Sequence, residues 1–247
     1  MTKILIATPS YDGTVRKEYM QTIMQVSDYC RQNGFGWDIV LEMATVLHTL
    51  RSVMASKALA DPESTHILFV DADMAFTVGA FAKMLKSGHD VVGCASPLRT
   101  IPLHHEVPTA GISYRQSLSA AVPYAVNMPS GLEKLEVING ICEVGTIGTG
   151  ILLISTAALK TMRDRGKIET YKTKFPYDQY YGEPKYWAFF EHIKVDGDIL
   201  GEDISFCWRW KKDCGGKIYA VVDEEIGHIG PMPVLGRYLD KIKTGKL

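Results

Sequence analysis

Residues 66–76 read HILFVDADMAF, a continuous apolar run that stops on two aspartates one residue apart. Ile67, Leu68, Phe69 and Val70 have the pattern of a strand buried on both faces, as in a parallel sheet covered by helices. Asp71 and Asp73 emerge where that strand ends, and open α/β sheets take ligands outside the carboxyl ends of their strands. Side chains alternate along an extended chain, so both aspartates can point to one side with small Ala72 between them. Two hard carboxylates there suit Mg²⁺ or Mn²⁺ and, through it, a diphosphate. An Asp pair at a strand end also serves as a turn former and helix cap, so the rest of the chain must decide.

Working outward, strand and helix alternate. KILIAT (3–8) reads as a first strand closed by Pro9, and a helix over 14–33 places Tyr19, Ile23, Val26 and Cys30 at helical spacing up to Asn33-Gly34. WDIVLEM (37–43) is a second strand, and 47–59 a helix with Leu50, Val53, Met54 and Ala58 inward. After the opening strand come a helix over 76–86 and a strand DVVGCA (90–95). This alternation predicts a mostly parallel, helix-covered sheet. Residues 97–145 break it, with prolines and an expected short antiparallel hairpin in EKLEVING…CEVG. GILLIS (150–155) predicts a buried strand before a helix over 156–165. Residues 170–200, rich in Tyr, Phe, Trp, Lys and Gly, read as a loop-heavy lid. A helix over 202–216, a strand KIYAVVD and a Gly- and Pro-punctuated tail from Gly227 complete the chain.

The 247 residues carry 46% hydrophobic and 22% charged side chains, the balance of a soluble globular protein with a large core. A formal net charge of −1 gives no general attraction to nucleic acid or anionic membrane, although a local basic patch is compatible with it. The amino-terminal apolar run is too short for a signal peptide, and no stretch approaches the roughly 20 apolar residues of a spanning helix. Cys30, Cys94, Cys142, Cys207 and Cys214 are odd in number and lack CxxC spacing, which predicts reduced thiols in a cytoplasmic protein without membrane insertion.

In order and spacing, ILIATPSYDGTV, HTLRSVMASKAL, HILFVDADMAF, DVVGCASPLR, VGTIGTGILLIS and GEDISFCWRWKKDCGGKIYAVVDEEIGHIG together resemble the GT-A family of nucleotide-sugar-dependent glycosyltransferases. Similar small soluble proteins occur in bacteria and bacteriophages. The resemblance spans nearly the whole chain. It implies an α/β fold of GT-A (Rossmann-like) type: a mostly parallel sheet flanked by helices, a small antiparallel hairpin and a loop-rich acceptor lid. One domain over 1–247 is expected, with residues 1–95 as nucleotide-binding half and 96–247 as acceptor-binding half and tail.

By the same resemblance, Asp71, Ala72 and Asp73 form the DxD motif that binds a divalent cation, Mn²⁺ or Mg²⁺, and the donor diphosphate. Thr8, Pro9 and Tyr11 stand where the family cradles the base and ribose; Thr8 can hydrogen-bond and Tyr11 offers a flat face. Arg51 matches an Arg of an Arg-Asn pair, with Ser52 in place of the Asn; a guanidinium suits phosphate oxygens. Gly148 and Gly150 match a loop beneath the donor sugar, where small residues permit close backbone approach. Glu202 and Asp203 resemble the acidic motif of inverting members, in which Asp203 would take a proton from the attacking hydroxyl. Acidic residues in a first helical turn are also favoured by the helix dipole alone. His228, after the last strand, matches a third metal ligand, a feature frequent in retaining members, so stereochemistry stays open. Arg99, Tyr181 and Trp187, with Lys172, Lys174 and Lys185, are candidate acceptor contacts.

The function implied is transfer of a hexose or pentose from a nucleoside-diphosphate sugar, UDP-linked in the favoured case, to an acceptor hydroxyl. A glycan is the favoured acceptor. A hydroxymethylated DNA base, flipped from its duplex, is the alternative. A nucleotide-sugar-binding or nucleotidyltransferase-like protein is a reading of another class. The loop SYDGTVRK, with a single glycine, lacks the Gly-rich basic signature usual there.

Overall fold

The computed structural model describes residues 1–100, 113–129, 131, 135–166, 168–172, 185–231 and 233–243. The first half runs β1 (Lys3–Ser10), α1 (Lys17–Gln32), β2 (Gly36–Met43), α2 (Leu47–Ala60), β3 (His66–Val70), β4 (Met74–Phe76), α3 (Val78–Lys86) and β5 (Val91–Cys94). Then follow α4 (Tyr114–Ala121), β6 (Val126–Asn127), β7 (Ile141–Val144), β8 (Thr146–Ile147), β9 (Ile151–Ser155) and α5 (Thr156–Arg165). Two small hairpins, β10 (Thr170–Lys172) with β11 (Lys185–Trp187) and β12 (Lys194–Val195) with β13 (Asp198–Ile199), precede α6 (Glu202–Trp208), which passes into a π-helical turn at Arg209–Asp213. The chain continues through β14 (Ile218–Val221), β15 (Ile226–Ile229), β16 (Pro233–Gly236) and α7 (Tyr238–Lys243).

Seven strands form the main sheet in the order β2-β1-β3-β9-β5-β14-β7. β1 is parallel to β2 and β3, and β14 to β5; β9 is antiparallel to both its neighbours, and β7 to β14. The architecture is the expected mixed α/β one, a mostly parallel sheet with small antiparallel pieces. Alternation along β1 separates two cores. Ile4 and Ile6 pack with Tyr19, Ile23 and Val26 of α1 and Phe81 of α3; Leu5 and Ala7 pack with Leu50 and Met54 of α2 and Leu159 of α5. All five cysteines are free, and four of them are buried. No helix among the described residues is long and apolar enough to cross a membrane.

Several local expectations are corrected. Phe76 ends a short strand, Met74–Phe76, rather than opening a helix, and α3 begins after Thr77, whose hydroxyl accepts the Ala80 N–H. The hairpin expected around EKLEVING…CEVG is short: among the described residues an antiparallel Ile138–Ile141 bridge makes it, and Ile141–Val144 goes on to join the main sheet against β14. Residues 202–216 keep α-helical form only to Trp208. The Gly- and Pro-punctuated tail is ordered by pairing, since β15 lies between β4 and β16. Helix α4 interrupts the stretch read as non-helical. Its signal is a Ser113/Gln116 capping box.

Candidate active site

Strand β3 is sealed between β1 and β9, so its carboxyl end has one way out, onto the ligand edge of the sheet. Asp71 is the first residue beyond it, anchored by its N–H to the Gly150 carbonyl at 2.9 Å. Arg51, on α2, is only 3% exposed, and its two terminal nitrogens go to different carboxylates: Nη2 to Asp71 Oδ1 at 2.7 Å and Nη1 to Glu202 Oε1 at 2.6 Å. Nε of Arg51 is buried without a partner. Burial opposes the guanidinium charge, but Asp71 and Glu202 more than offset it. Ser52 serves the same helix face differently, its hydroxyl accepting the Phe190 N–H at 3.0 Å, and Ser56 accepts that of Trp187 at 2.8 Å.

Asp73 sits in other company. Its Oδ2 lies 3.2 Å from Arg99 Nη1 and 3.3 Å from His228 Nε2. The β4–β15 ladder makes this contact: His228 is in register with Met74, and Ile229 N–H donates to the Asp73 carbonyl at 2.8 Å. His228 Nδ1 is 2.9 Å from the Pro97 carbonyl, which only accepts, so Nδ1 carries the proton. Burial alone would raise the Asp73 carboxyl, yet His228 and Arg99 bring it below its ordinary value. The His228 imidazole, disfavoured as a cation by burial, is raised by Asp73 and the Pro97 carbonyl.

Asp203 completes the cluster on the first turn of α6. Its Oδ1 accepts the Ile204 N–H at 2.7 Å, and burial raises its carboxyl above the ordinary value. Gly148 borders it: a Cβ there would lie 2.9 Å from the Ala125 Cβ and 3.7 Å from Asp203 Oδ2. A Cβ on Gly150 would stand 3.6 Å from Asp71 Oδ2. The 148–150 loop therefore runs from one carboxylate to the other.

The structure thus brings together Arg51, Asp71 and Glu202, and separately Asp73, His228 and Arg99, with Asp203 against Gly148. Thr8 turns inward. It is fully buried, with its hydroxyl on that of Tyr19, so the hydrogen bond expected toward a base is made inside the protein. Pro9 is buried beside it, and Tyr11 projects from the loop, largely exposed. The Ala72 carbonyl accepts the Arg16 N–H. Trp187 is half-buried and tied to Ser56, about 7.5 Å along α2 from Arg51 at 1.5 Å per residue. Tyr181 and Lys174 lie outside the described residues. Sequence reading missed the Pro97 carbonyl, a backbone group with no compositional signature.

Asp71, Asp73, Glu202 and Asp203 face Arg51 and Arg99, leaving two negative charges when His228 is neutral. Among the described residues no three His, Cys, Asp or Glu side chains gather closely enough to hold a metal, because Asp71 is drawn to Arg51. The pair Asp73–His228 nonetheless fits a divalent cation. A ligating histidine commonly donates its other N–H to a carbonyl, as His228 does to Pro97. Magnesium-like ions also keep several positions for water and substrate phosphate.

No family model matches the chain, and no curated relative does. Among solved structures it is similar to A197 from STIV at 16% identity, over 95% of this chain and 94% of that one, with a TM-score of 0.49. A glycosyltransferase involved in glycosylation of the PBCV-1 major capsid matches at 16% identity over 65% and 63%, TM-score 0.31. A Drosophila β-1,4-galactosyltransferase 7 mutant, in complex with manganese, UDP-Gal and xylobiose, matches at 13% over 74% and 60%, TM-score 0.29. With scores below 0.5 these likenesses identify neither family nor activity.

Proposed function

We propose that the chain is a divalent-cation-dependent glycosyltransferase that moves a sugar from a nucleoside-diphosphate donor, UDP-linked, to a hydroxyl of a glycan. The carrying observation is the meeting of Asp73 Oδ2 and His228 Nε2, with Nδ1 tied to Pro97, at the carboxyl edge of the sheet. Asp73 and His228 would hold Mn²⁺ or Mg²⁺, which when bound neutralises charge on a departing diphosphate. Arg51 holds Asp71 and Glu202 in place. The face of Tyr11 suits a nucleobase, and the glycines of the 148–150 loop admit the donor sugar close to the backbone.

Glu202 is engaged by Arg51, which leaves Asp203 as the base. Its raised carboxyl makes it a better proton acceptor than an ordinary aspartate. The acceptor oxygen attacks the anomeric carbon, its proton passes to Asp203, and the bond from that carbon to the diphosphate oxygen breaks. One displacement of this kind inverts the anomeric centre. Arg99 and Trp187 stand on the acceptor side.

A hydroxymethylated DNA base is kept as second acceptor because Lys172 and Lys185 are direct register partners at an exposed hairpin. Like charges facing each other disfavour a hairpin unless an anion joins them. Thermal shift with UDP-sugars in Mn²⁺ or chelator, followed by UDP release with glycan or DNA acceptors, tests the reading. Mn²⁺-dependent stabilisation and glycan-dependent release are expected. Equal donor binding in chelator overturns the cation site, and release only with hydroxymethylated DNA overturns the glycan.

A further inference from the structure

The two edges of the main sheet are unlike. β7 is four residues long and carries Glu143 paired to Lys217 at 2.8 Å, a short and charged edge of the kind that resists further pairing. β2 is eight residues long and contains no proline or lysine. Its register with β1 sets Trp37 beside Ile4, Ile39 beside Ile6, Leu41 beside Thr8 and Met43 beside Ser10, so all four project on the α1 face. They are exposed to 38%, 43%, 40% and 59%.

Helix α1 extends this row. Thr22 reaches the Phe76 carbonyl, and Tyr29 meets Phe81 edge-on at 5.7 Å, so that flank of α1 faces β4 and α3. At about 100° per residue, Met20 and Met24 lie roughly half a turn around, on the β2 flank, and both are exposed. Floor and wall together expose on the order of 600 Å² of side chain, the lower end of what one partner of a specific complex buries. Apolar patches of this size mark interaction surfaces.

We propose that β2 is a self-association edge, on which a second copy of this chain pairs its own β2 antiparallel across a two-fold axis. β2 is the end strand of the sheet among the described residues, and an edge strand presents backbone N–H and C=O groups to which another strand can pair. Centred on Val40, the pairing opposes Ile39 to Leu41 and Trp37 to Met43, and keeps both apolar rows on one face between the two α1 helices. A net charge of −1 gives two copies almost no mutual repulsion. This register sets Asp38 opposite Glu42, a like-charge pair on the α2 face that is eased only in part by Lys3 Nζ, which lies 3.3 Å from Asp38 and is shared with Asp61 and Glu63. Because each copy's edge is consumed, the assembly closes at two.

Light scattering on the eluting protein, loaded from about 1 to 100 µM, tests this without any substrate. The expected mass rises toward twice 27.4 kDa with concentration. Ile39→Lys is expected to hold the protein monomeric at every loading, and its melt to match that of the wild type at the low-concentration, monomeric end, because the side chain is 43% exposed. Paired Ile39→Cys and Leu41→Cys substitutions are expected to cross-link two chains on mild oxidation. A monomeric mass over the whole range overturns the proposal, as does an assembly that grows beyond two. A dimer that survives Ile39→Lys places the contact elsewhere and overturns it equally.

Discussion

Asp71 and Asp73 leave one strand end two residues apart and enter opposite kinds of surroundings. Asp71 is clasped by a buried guanidinium that also holds Glu202, from an element 151 residues away in the chain. Asp73 meets a half-exposed guanidinium and an imidazole whose second nitrogen is fixed by a carbonyl. The first arrangement gives each carboxylate a hydrogen bond from one shared guanidinium and holds three elements together. The second sets Asp73 Oδ2 3.3 Å from His228 Nε2. Identical side chains in a DxD spacing thus enter different surroundings, set by what α2 and β15 bring alongside, and the proposed function makes the first a structural carboxylate and the second a chemical one.

The sharpest way to break this comparison is to remove the clasp. Arg51→Ala leaves Asp71 and Glu202, both half-buried, without the buried guanidinium they share. The loss of one partner from such a buried cluster costs roughly 3–5 kcal/mol. Urea unfolding is expected to show that loss with or without Mn²⁺. A cost below about 1 kcal/mol would mean that the site is held by packing alone.

Asp203→Asn separates chemistry from stability. Without a base, turnover is expected to fall by roughly 10²–10⁴, with donor binding little changed. Stability moves the other way. Burial raises the native Asp203 carboxyl, so the folded protein binds this proton more readily than the unfolded chain does. The ionised form then weakens the fold at every pH above the native value, and the effect vanishes below the ordinary carboxyl value of 3.8. Asparagine carries no charge and its oxygen can still accept the Ile204 N–H. Tm of the variant is expected above wild type at pH 7, the gain disappearing as pH falls through the native value. Full activity in Asp203→Asn would return the base to another group and reopen a retaining mechanism.

Between the two aspartates themselves, Asp73→Asn and Asp71→Asn should differ in kind. Asp73→Asn is expected to weaken Mn²⁺ at least about tenfold and remove the Mn²⁺-dependent UDP shift, with a stability change under about 1 kcal/mol. Asp71→Asn should chiefly lower stability, by roughly 1–3 kcal/mol, since a hydrogen bond to the Arg51 charge is weakened. Calorimetric Mn²⁺ titration of both, beside their melts, decides. If the two variants behave alike, the division of labour fails.

Much of the framework was legible from local pattern. The apolar runs of β1, β3, β5 and β9, and the spacing of Tyr19, Ile23 and Val26, report burial directly, and burial follows from periodicity. Direction was not legible: GILLIS is as apolar as a parallel strand, yet β9 runs against both neighbours, because the excursion through 97–145 returns the chain from the other end. The β4–β15 ladder was missed for a related reason. Three-residue strands carry too little alternation to register, and their pairing spans about 150 residues. In the site, side-chain identity showed which residues matter but not whom they face. Arg51 looked suited to phosphate and is spent on carboxylates; Thr8 looked suited to a base and is spent on Tyr19.

Arg99→Ala gives the smallest expected effect and the finest test of the contrast. Arg99 is half exposed, and an ion pair so open to water is worth at most about 1 kcal/mol. The melt should scarcely move. Its electrostatic role is expected to appear in Mn²⁺ binding, where a fixed positive charge 3.2 Å from Asp73 Oδ2 competes with a cation for the same oxygen. Removing it should tighten Mn²⁺ alone by a factor of about 2–5, since about 1 kcal/mol of competing interaction bounds the gain. Raising salt toward 0.5 M should shrink that gain, because screening weakens exposed charges most. Should Mn²⁺ instead bind more weakly, Arg99 would be an organiser of Asp73 in the manner of Arg51, and the two aspartates would prove more alike than their surroundings imply.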